Sequence, residues 1–220
     1  MVHLRAGNQV KLTGLIVVLL LGIFSFEVRA SDEIAKEIRE ARTWFSTFAE
    51  AQCRTLNEID ALFSSEDKQY PIRHSIAATD HAGRVNADNP KTVIFEFFCD
   101  SGAYNARHIF VRYDDGYFQQ LAFSQPAVSV GYESDSPESA VKSISVVGFE
   151  ARLTVTNPVF NVETASIKET AFWRGIGDAA SEGWWRFEGD RFVLSRFRID
   201  ASYDGEINPS HDFSWPAKLK

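Results

Sequence analysis

The residues best suited to chemistry lie between Phe172 and Phe187, which read FWRGIGDAASEGWWRF. Arg174 and Asp178 carry opposite charges on either side of two glycines, and glycine adopts backbone angles that other residues avoid. The pattern leaves two interpretations open. Either Arg174 and Asp178 form an ion pair that holds a tight corner, or Arg174 binds the carboxylate of a small ligand.

Trp184 is a second candidate binding residue. In a strand, Trp185 and Phe187 point to one face, while Trp184 and Arg186 point to the other. If the first pair covers the core, the opposite face exposes an aromatic platform, which suits a glycan or a protein partner. The alternative is an indole that lies under a loop.

Other motifs do not carry the chemistry that they suggest. Residues 175–180 fit the dinucleotide pattern GxGxxA, but a turn and a strand follow where that site needs a helix. Residues 139–142 fit SxxK without the companion motifs of penicillin-binding enzymes. The histidines lack metal-ligand spacing, and we expect His74 and His81 to be solvated in a polar connector. We predict no metal and no cofactor.

Charge excludes one class of partner. The chain has 220 residues and a formal net charge of −7, without a block of basic residues. Nucleic-acid binding requires lysine and arginine side chains that displace counterions from phosphates. We therefore expect no nucleic-acid partner.

The first thirty residues have the plan of a secretory signal peptide. A positive start with Arg5 and Lys11 precedes the apolar run Leu12–Phe26, and small residues lead up to Ala30. The apolar run is shorter than the ~18–20 residues that span a bilayer. We expect residues 1–30 to be cleaved after Ala30, which leaves no stable membrane span; the alternative is an uncleaved anchor.

Cys53 and Cys99 are the two cysteines of the chain. In an exported protein, an even count of cysteines favours a disulfide. Closing a loop of this length would stabilise the fold by about 4 kcal/mol in the chain-entropy model. The alternative is a free thiolate at Cys99 that acts as a nucleophile with His108.

The mature chain divides into two parts by pattern. Apolar residues at three- and four-residue spacing predict an amphipathic helix from Asp32 to about Ser65. A polar connector with little regular structure follows, so residues 31–91 form an N-terminal helix and connector. Residues 92–220 consist of short β-branched and aromatic runs separated by turns, including hairpins at Asp115-Gly116 and Gly189. The predicted fold is mainly β, an antiparallel sheet, sandwich or barrel, and α+β overall.

The β-rich part resembles the carboxy-terminal half of an exported bacterial family called domain of unknown function 1176. The resemblance covers about residues 92–220 and rests on this ordered set: Cys99, Gly102-Ala103-Tyr104-Asn105, Arg174-Gly175-Ile176-Gly177-Asp178, Trp185, Gly189, Phe192, Leu194 and Trp215-Pro216. It implies a periplasmic location in a Gram-negative cell and no established activity. The family pattern has cysteines at the positions of Ala179 and Ala201 in this chain. Both cysteines are absent here, as expected if they form one disulfide with each other in the family.

These observations favour a non-catalytic periplasmic binding module for an envelope component, such as a glycan, or for an enzyme. Arg174, Asp178 and Trp184 are its candidate binding residues. The alternatives are a cell-wall or glycan hydrolase, which needs a paired acid and base in a cleft, and a purely structural envelope protein. The sequence leaves the oligomeric state open.

Overall fold

A computed structural model describes residues 31–53, 70–79, 84 and 91–215. The chain divides into two compact units, residues 1–40 and residues 41–220. Of the first unit, residues 31–40 are described, and they are helical. The expected signal peptide and its cleavage site at Ala30 lie outside the described residues.

Two helices come first in the described chain. Helix α1 covers 31–46 and helix α2 covers Ala49–Gln52, with the extended residue Cys53 as its C-cap. Within the second unit, Ala41 and Phe45 are fully buried, as the apolar spacing predicts. Residues 54–65, where we expected the helix to continue, lie outside the described residues. Among the described helices, none is both long and apolar enough to cross a bilayer.

Antiparallel strands form the rest of the described chain. In chain order they are β1 Ile72–Ala77, β2 Lys91–Ser101, β3 Ala106–Asp114, β4 Tyr117–Gln120, β5 Phe123–Tyr132, β6 Val141–Arg152, β7 Val155–Thr156, β8 Val159–Asn161, β9 Ser166–Phe172, β10 Ala180–Glu188, β11 Arg191–Asp200 and β12 His211–Ser214.

The strands form two five-stranded sheets and one long hairpin. The first sheet has the order β1-β2-β3-β4, with β7 also paired to β3. The second has the order β12-β11-β10-β9-β8, and β5 pairs with β6 in the hairpin. Every described strand pair is antiparallel. The mainly β, α+β fold class is confirmed.

The main core draws on strands of both five-stranded sheets. Ile94 and Phe110 of the first sheet belong to one buried cluster with Ile167, Trp185 and Phe192 of the second. Trp185 is 1% exposed, and its indole Nε1 donates to the Ser124 carbonyl at 2.8 Å. Strand alternation places Trp185 and Trp184 on opposite faces, and Trp185 is the one that faces the core.

The first sheet is covered on a second face by aromatic packing from α1. Phe45 stacks on Phe97 with ring centroids 4.2 Å apart, and Trp44 stacks on Phe118 at 5.5 Å. A disulfide joins Cys53, next to α2, to Cys99 of β2. The predicted disulfide is confirmed, and it ties the helical segment covalently to the sheet.

The turn between β3 and β4 has the geometry that the sequence predicts, whereas strand β1 was not predicted. Asp115 and Gly116 both have positive φ angles, of 43° and 86°, between β3 and β4. This is the geometry of the favoured two-residue hairpin turn. The prediction of a polar connector with little regular structure is wrong for β1, which pairs with β2 along its whole length. The strand forms because β2 offers an edge for backbone hydrogen bonding, although three of the six β1 side chains, those of Arg73, His74 and Ser75, are polar.

Candidate functional site

Residues of both five-stranded sheets and of the β5–β6 hairpin surround a cavity of about 730 Å³. It lies between the β2–β3 end of the first sheet, the β5–β6 hairpin and strands of the second sheet. Its lining residues are Asp100, Ser101, Gly102, Asn105, Arg107, Gln125, Pro126, Ala127, Val128, Glu150, Arg152, Thr156, Ala171, Trp173, Ser181 and Phe197. We call this cavity the cleft.

An arginine–carboxylate pair lies on the first-sheet side of the cleft. A bulge after Phe98 brings Asp100 opposite Arg107 in the β2–β3 register. Arg107 Nε donates to Asp100 Oδ1 at 2.5 Å, and a terminal nitrogen donates to the other oxygen. Asp100 is 4% exposed, so the pair presents a fixed polar group at the cleft wall.

A second arginine–carboxylate pair lies on β6. Glu150 and Arg152 are two residues apart and therefore on one face of the strand. Arg152 Nε donates to Glu150 Oε1 at 2.7 Å, and both side chains remain nearly half exposed. Gln125, which is buried, lies opposite Glu150 in the β5–β6 register. The hairpin thus adds charged and amide groups to the same cavity.

Aromatic side chains supply the apolar part of the cleft. Trp173 is half-buried and packs against the small cluster that contains Phe197 and Ile199. Its backbone N–H donates to the Ala179 carbonyl at 2.9 Å, which closes the loop after β9. Ser181 lies within 3.5 Å of the Trp173 indole nitrogen. The loop closure therefore positions an aromatic ring beside polar groups.

Glu169 is a buried carboxyl group next to the cleft. It is 1% exposed, and its Oε2 accepts a hydrogen bond from the backbone N–H of Thr156 at 2.8 Å. Its Oε1 is buried without a hydrogen-bond partner among the described residues. Burial raises the pKa of Glu169, while the Thr156 hydrogen bond and the Arg152 charge act in the opposite direction.

Arg174 and Asp178 form the ion pair that the sequence predicts, and neither lines the cleft. Arg174 Nε donates to Asp178 Oδ1 at 2.6 Å, and Asp178 also accepts from the backbone N–H of Gly205 at 2.9 Å. The Arg174 guanidinium holds the pKa of Asp178 well below its usual range. Arg174 also stacks over the Tyr203 ring at 4.9 Å. The pair joins the loop after β9 to the loop after β11; its role in binding stays a prediction.

Trp184 lies on the outer face of the second sheet, as strand alternation predicts, and is partly buried. Three cations surround its ring: Arg196 at 5.0 Å, Lys168 at 5.4 Å and Arg198 at 5.6 Å from the centroid. Lys168 and Arg198 both pair with Glu182. Trp184 is therefore the centre of a charged cluster, and a partner would meet cations together with the indole.

A cluster of the buried Glu96 and His108 with the partly buried His74 was missed by sequence reasoning. The expectation of a solvated His74 is wrong: His74 Nε2 lies 2.8 Å from Glu96 Oε2, and its ring stacks on Phe160 at 4.1 Å. His108 Nδ1 lies 2.7 Å from Glu96 Oε1. Burial acts to raise the pKa of Glu96, but the hydrogen bonds from His108 and His74 outweigh it and lower the pKa to about 2.

The histidine cluster raises the question of metal binding, and the cysteines raise that of a thiolate nucleophile. Within the described ranges, no group of histidine, cysteine, aspartate and glutamate side chains is arranged to hold a metal ion. Cys99 is bonded to Cys53 and is therefore not a thiolate nucleophile. The interpretation of Cys99 as a nucleophile with His108 is wrong, because its sulfur is already bonded.

The sequence indicates the cleft only indirectly, through the antiparallel pairing of its predicted strands. Its residues come from positions 100 to 197, so no local motif contains them, and antiparallel pairing brings them together.

Comparison with protein-family models, with curated proteins and with solved structures finds no match to this chain.

Proposed function

We propose that this chain is an exported, non-catalytic binding module that holds a hydroxyl-rich ligand, a glycan segment of the cell envelope, in the cleft. The observation that carries the proposal is the cleft itself. It combines two arginine–carboxylate pairs, buried amide and hydroxyl groups, and a tryptophan in one cavity. Ligand pockets typically measure about 300–1,000 Å³ and join an apolar lining to a few fixed polar groups.

The polar groups suit hydroxyl recognition because they are held in place before a ligand arrives. Arg107 donates hydrogen bonds to Asp100, and Arg152 donates to Glu150. Each pair therefore offers hydrogen-bond donors and acceptors side by side. A sugar hydroxyl donates one hydrogen bond and accepts others, and therefore fits such a pair. Groups that are already ordered lose little conformational entropy on binding, which favours affinity.

The apolar wall suits the other surface of a sugar. A pyranose ring has a face of C–H groups, and an indole such as that of Trp173 provides a broad apolar surface with a polar edge. Pro126 and Val128 extend this wall along β5. A glycan can therefore bury its C–H face against the wall while its hydroxyls reach the charged pairs.

Two observations support export and a periplasmic location. The leader pattern of residues 1–30 is typical of a signal peptide. The Cys53–Cys99 disulfide is of the kind that persists in oxidising compartments. The resemblance of residues 92–220 to an exported family agrees with both.

A second candidate function, hydrolysis of a glycan, is favoured by Glu169. A carboxyl group with a raised pKa beside a cleft is the usual general acid of glycosidases. The two carboxylates that line the cleft, Asp100 and Glu150, are already bonded to arginines, so neither is free to act as the second carboxylate. For this reason we place binding first.

Isothermal titration calorimetry with a soluble tetramer of N-acetylglucosamine tests the proposal. We expect saturable binding by the mature chain, and binding weaker by at least about tenfold for Arg152→Ala, because a hydrogen bond to a charged group contributes about 1.5–3 kcal/mol and about 1.4 kcal/mol is a factor of ten. Lys142→Ala is the matched control, since Lys142 is an exposed cation on the same strand and does not line the cleft.

Two outcomes would count against this function. No binding of the tetramer, or equal affinity of the Arg152 and Lys142 variants, contradicts a glycan site in the cleft. Shortened sugars in the mixture after incubation would instead support the hydrolase.

A further inference from the structure

The charged side chains of the cleft are exposed to different degrees. Among the described residues, two arginines and two carboxylates line it. On the first sheet, Asp100 is buried, whereas 41% of the Arg107 side chain is exposed. On the β5–β6 hairpin, 44% of the Arg152 side chain and 46% of the Glu150 side chain are exposed. A ligand in the cleft therefore meets both guanidinium groups but only one of the two carboxylates.

Each arginine of the cleft keeps one nitrogen available to a ligand. Arg107 uses Nε and Nη2 for the two oxygens of Asp100. Arg152 uses Nε and Nη2 for a single oxygen, Oε1, of Glu150. The remaining nitrogen of both arginines, Nη1, has no hydrogen-bond partner within the described ranges. Since every guanidinium nitrogen carries N–H donors, each arginine is held by its own carboxylate and still has donors to offer.

The two guanidinium groups approach the same part of the cleft wall, around Thr156. Arg107 lies directly opposite Thr156 in the β3–β7 register, and directly opposite residues share a face. The backbone N–H of Thr156 donates to Glu169 Oε2 at 2.8 Å, and the charge of Arg152 acts on that same carboxyl group. Arg107, Arg152 and Thr156 all line the cleft. One ligand group can therefore reach donors that come from β3 and from β6.

We propose that the ligand of the cleft is an acidic glycan, and that Arg107 and Arg152 hold a carboxylate of this glycan through their Nη1 groups. A carboxylate suits the position because a hydrogen bond between two charged groups is roughly twice as strong as one between neutral groups. The inference rests on the proposed binding function and specifies the ligand class: a sugar chain with uronic acid units rather than a neutral one.

The exposed charges of the cleft match a single negative charge with hydroxyls beside it. Two exposed guanidinium groups face one exposed carboxylate, which leaves an excess of one positive charge on the exposed wall. A carboxylate balances this excess, whereas a phosphate monoester carries about 1.5 to 2 negative charges near neutral pH and exceeds it. Glu150 Oε2 lies outside the pair with Arg152 and can accept a hydrogen bond from a sugar hydroxyl. A uronic acid carries a carboxylate and hydroxyls on one ring.

Calorimetry with one sugar in two forms tests the charge directly. The probe is a tetrasaccharide that alternates N-acetylglucosamine and glucuronate, and it is compared with its methyl ester, which has the same linkages but no charge. We expect the mature chain to bind the acid at least about tenfold more tightly than the ester, since each arginine then donates to a charged acceptor. This comparison uses the wild-type protein and depends on no variant.

Two arginine variants with the same surroundings locate the acid. Arg152→Gln removes one charge at the cleft, and we expect its affinities for acid and ester to agree within about threefold. Arg196→Gln is the matched control, because Arg196 is also 44% exposed and pairs with a carboxylate, Asp212, that is 45% exposed. Arg196 does not line the cleft, so its variant should keep the wild-type preference for the acid.

Arg107→Lys tests the other side of the cleft without stripping the buried Asp100 of its partner. Lysine keeps the positive charge for Asp100 but has no second nitrogen to offer a ligand. We expect the preference for the acid to fall at least about threefold. Urea unfolding of each variant shows whether it is folded.

The outcomes separate this inference from the proposed function. Equal affinity of the wild type for acid and ester, or binding of neither by a protein that binds the N-acetylglucosamine tetramer, would overturn the acidic ligand and leave the glycan site standing. A preference for the acid that Arg196→Gln abolishes and Arg152→Gln retains would place the acid on the outer face around Trp184 and overturn the inference. Binding of none of the three sugars would overturn both proposals.

Discussion

Replacing Glu96 with glutamine should destabilise the fold by an amount that depends on pH in a defined way. The folded protein lowers the pKa of Glu96 from 4.5 to about 2, because two imidazole N–H groups outweigh the effect of burial. That difference corresponds to about 3 kcal/mol of preferential stabilisation of the carboxylate. Glu96→Gln keeps the shape of the side chain but removes the charge that His74 and His108 contact.

The sign of the pH dependence follows from the lowered pKa. The carboxylate's contribution is fully present above the unfolded-state pKa of about 4.5. It is lost as the pH falls from 4.5 through about 2, since the unfolded state then binds a proton that the folded state does not, and the loss is complete once the folded state binds it as well. The wild type should therefore exceed Glu96→Gln by about 3 kcal/mol at neutral pH, and this difference should shrink steadily below pH 4.5.

Urea unfolding of the two oxidised mature chains at a series of pH values measures this difference. Asp114→Asn is the control, because Asp114 lies in the same sheet and pairs with Arg112 at 3.0 Å but is 48% exposed. An exposed pair contributes only about 0–1 kcal/mol. A Glu96 effect below about 1 kcal/mol at neutral pH, or one that does not change with pH, would refute the reasoning from the histidine contacts.

Three further predictions concern covalent links and the outer face. Replacing Cys53 and Cys99 with alanine should lower the free energy of unfolding by about 4 kcal/mol, measured in urea, given their separation of 46 residues; a loss under 1 kcal/mol would contradict a stabilising bridge. Ala179 and Ala201 are both buried and continue the β10–β11 register past its last pair, so cysteines at both positions should form a disulfide that intact mass detects. Two free thiols after oxidation would contradict this register. Trp184→Ala removes three cation–π contacts and should cost about 1–2 kcal/mol, while calorimetry should find the affinity of the cleft unchanged.

Features that depend on neighbouring residues could be predicted from the sequence. Asp115-Gly116 predicts its hairpin because the favoured turn requires positive φ at both positions. Alternation predicts that Trp184 and Trp185 lie on opposite faces of their strand, since strand side chains alternate between faces. The disulfide was predicted from an even number of cysteines, two, in a chain whose first thirty residues have the pattern of a signal peptide.

Features that depend on distant pairing could not be predicted. The residues IRHSIA of β1 include Arg73, His74 and Ser75, which lack the alternating apolar pattern of a strand. They pair because β2 offers a free edge, and this edge exists only in the folded sheet. The same pairing brings His74 to Glu96, and so leaves only 12% of the side chain of an apparently solvated histidine exposed.

The cleft has the same origin as the histidine cluster. Arg107 and Arg152 look like ordinary surface cations in the sequence, and Glu169 lies in the unremarkable run SIKETAF. Their common location follows from the arrangement of two sheets and a hairpin, which no local pattern encodes. The ion pair of Arg174 and Asp178 was predictable because its partners are four residues apart.

Two-dimensional amide NMR of residues 31–220, titrated with the N-acetylglucosamine tetramer, is the sharpest test of a glycan site in the cleft. We expect saturable shifts at the backbone amides that line the cleft, such as those of Gly102, Ala127, Thr156 and Ser181. Absence of shifts, or shifts confined to the outer face around Trp184, would contradict a glycan site in the cleft.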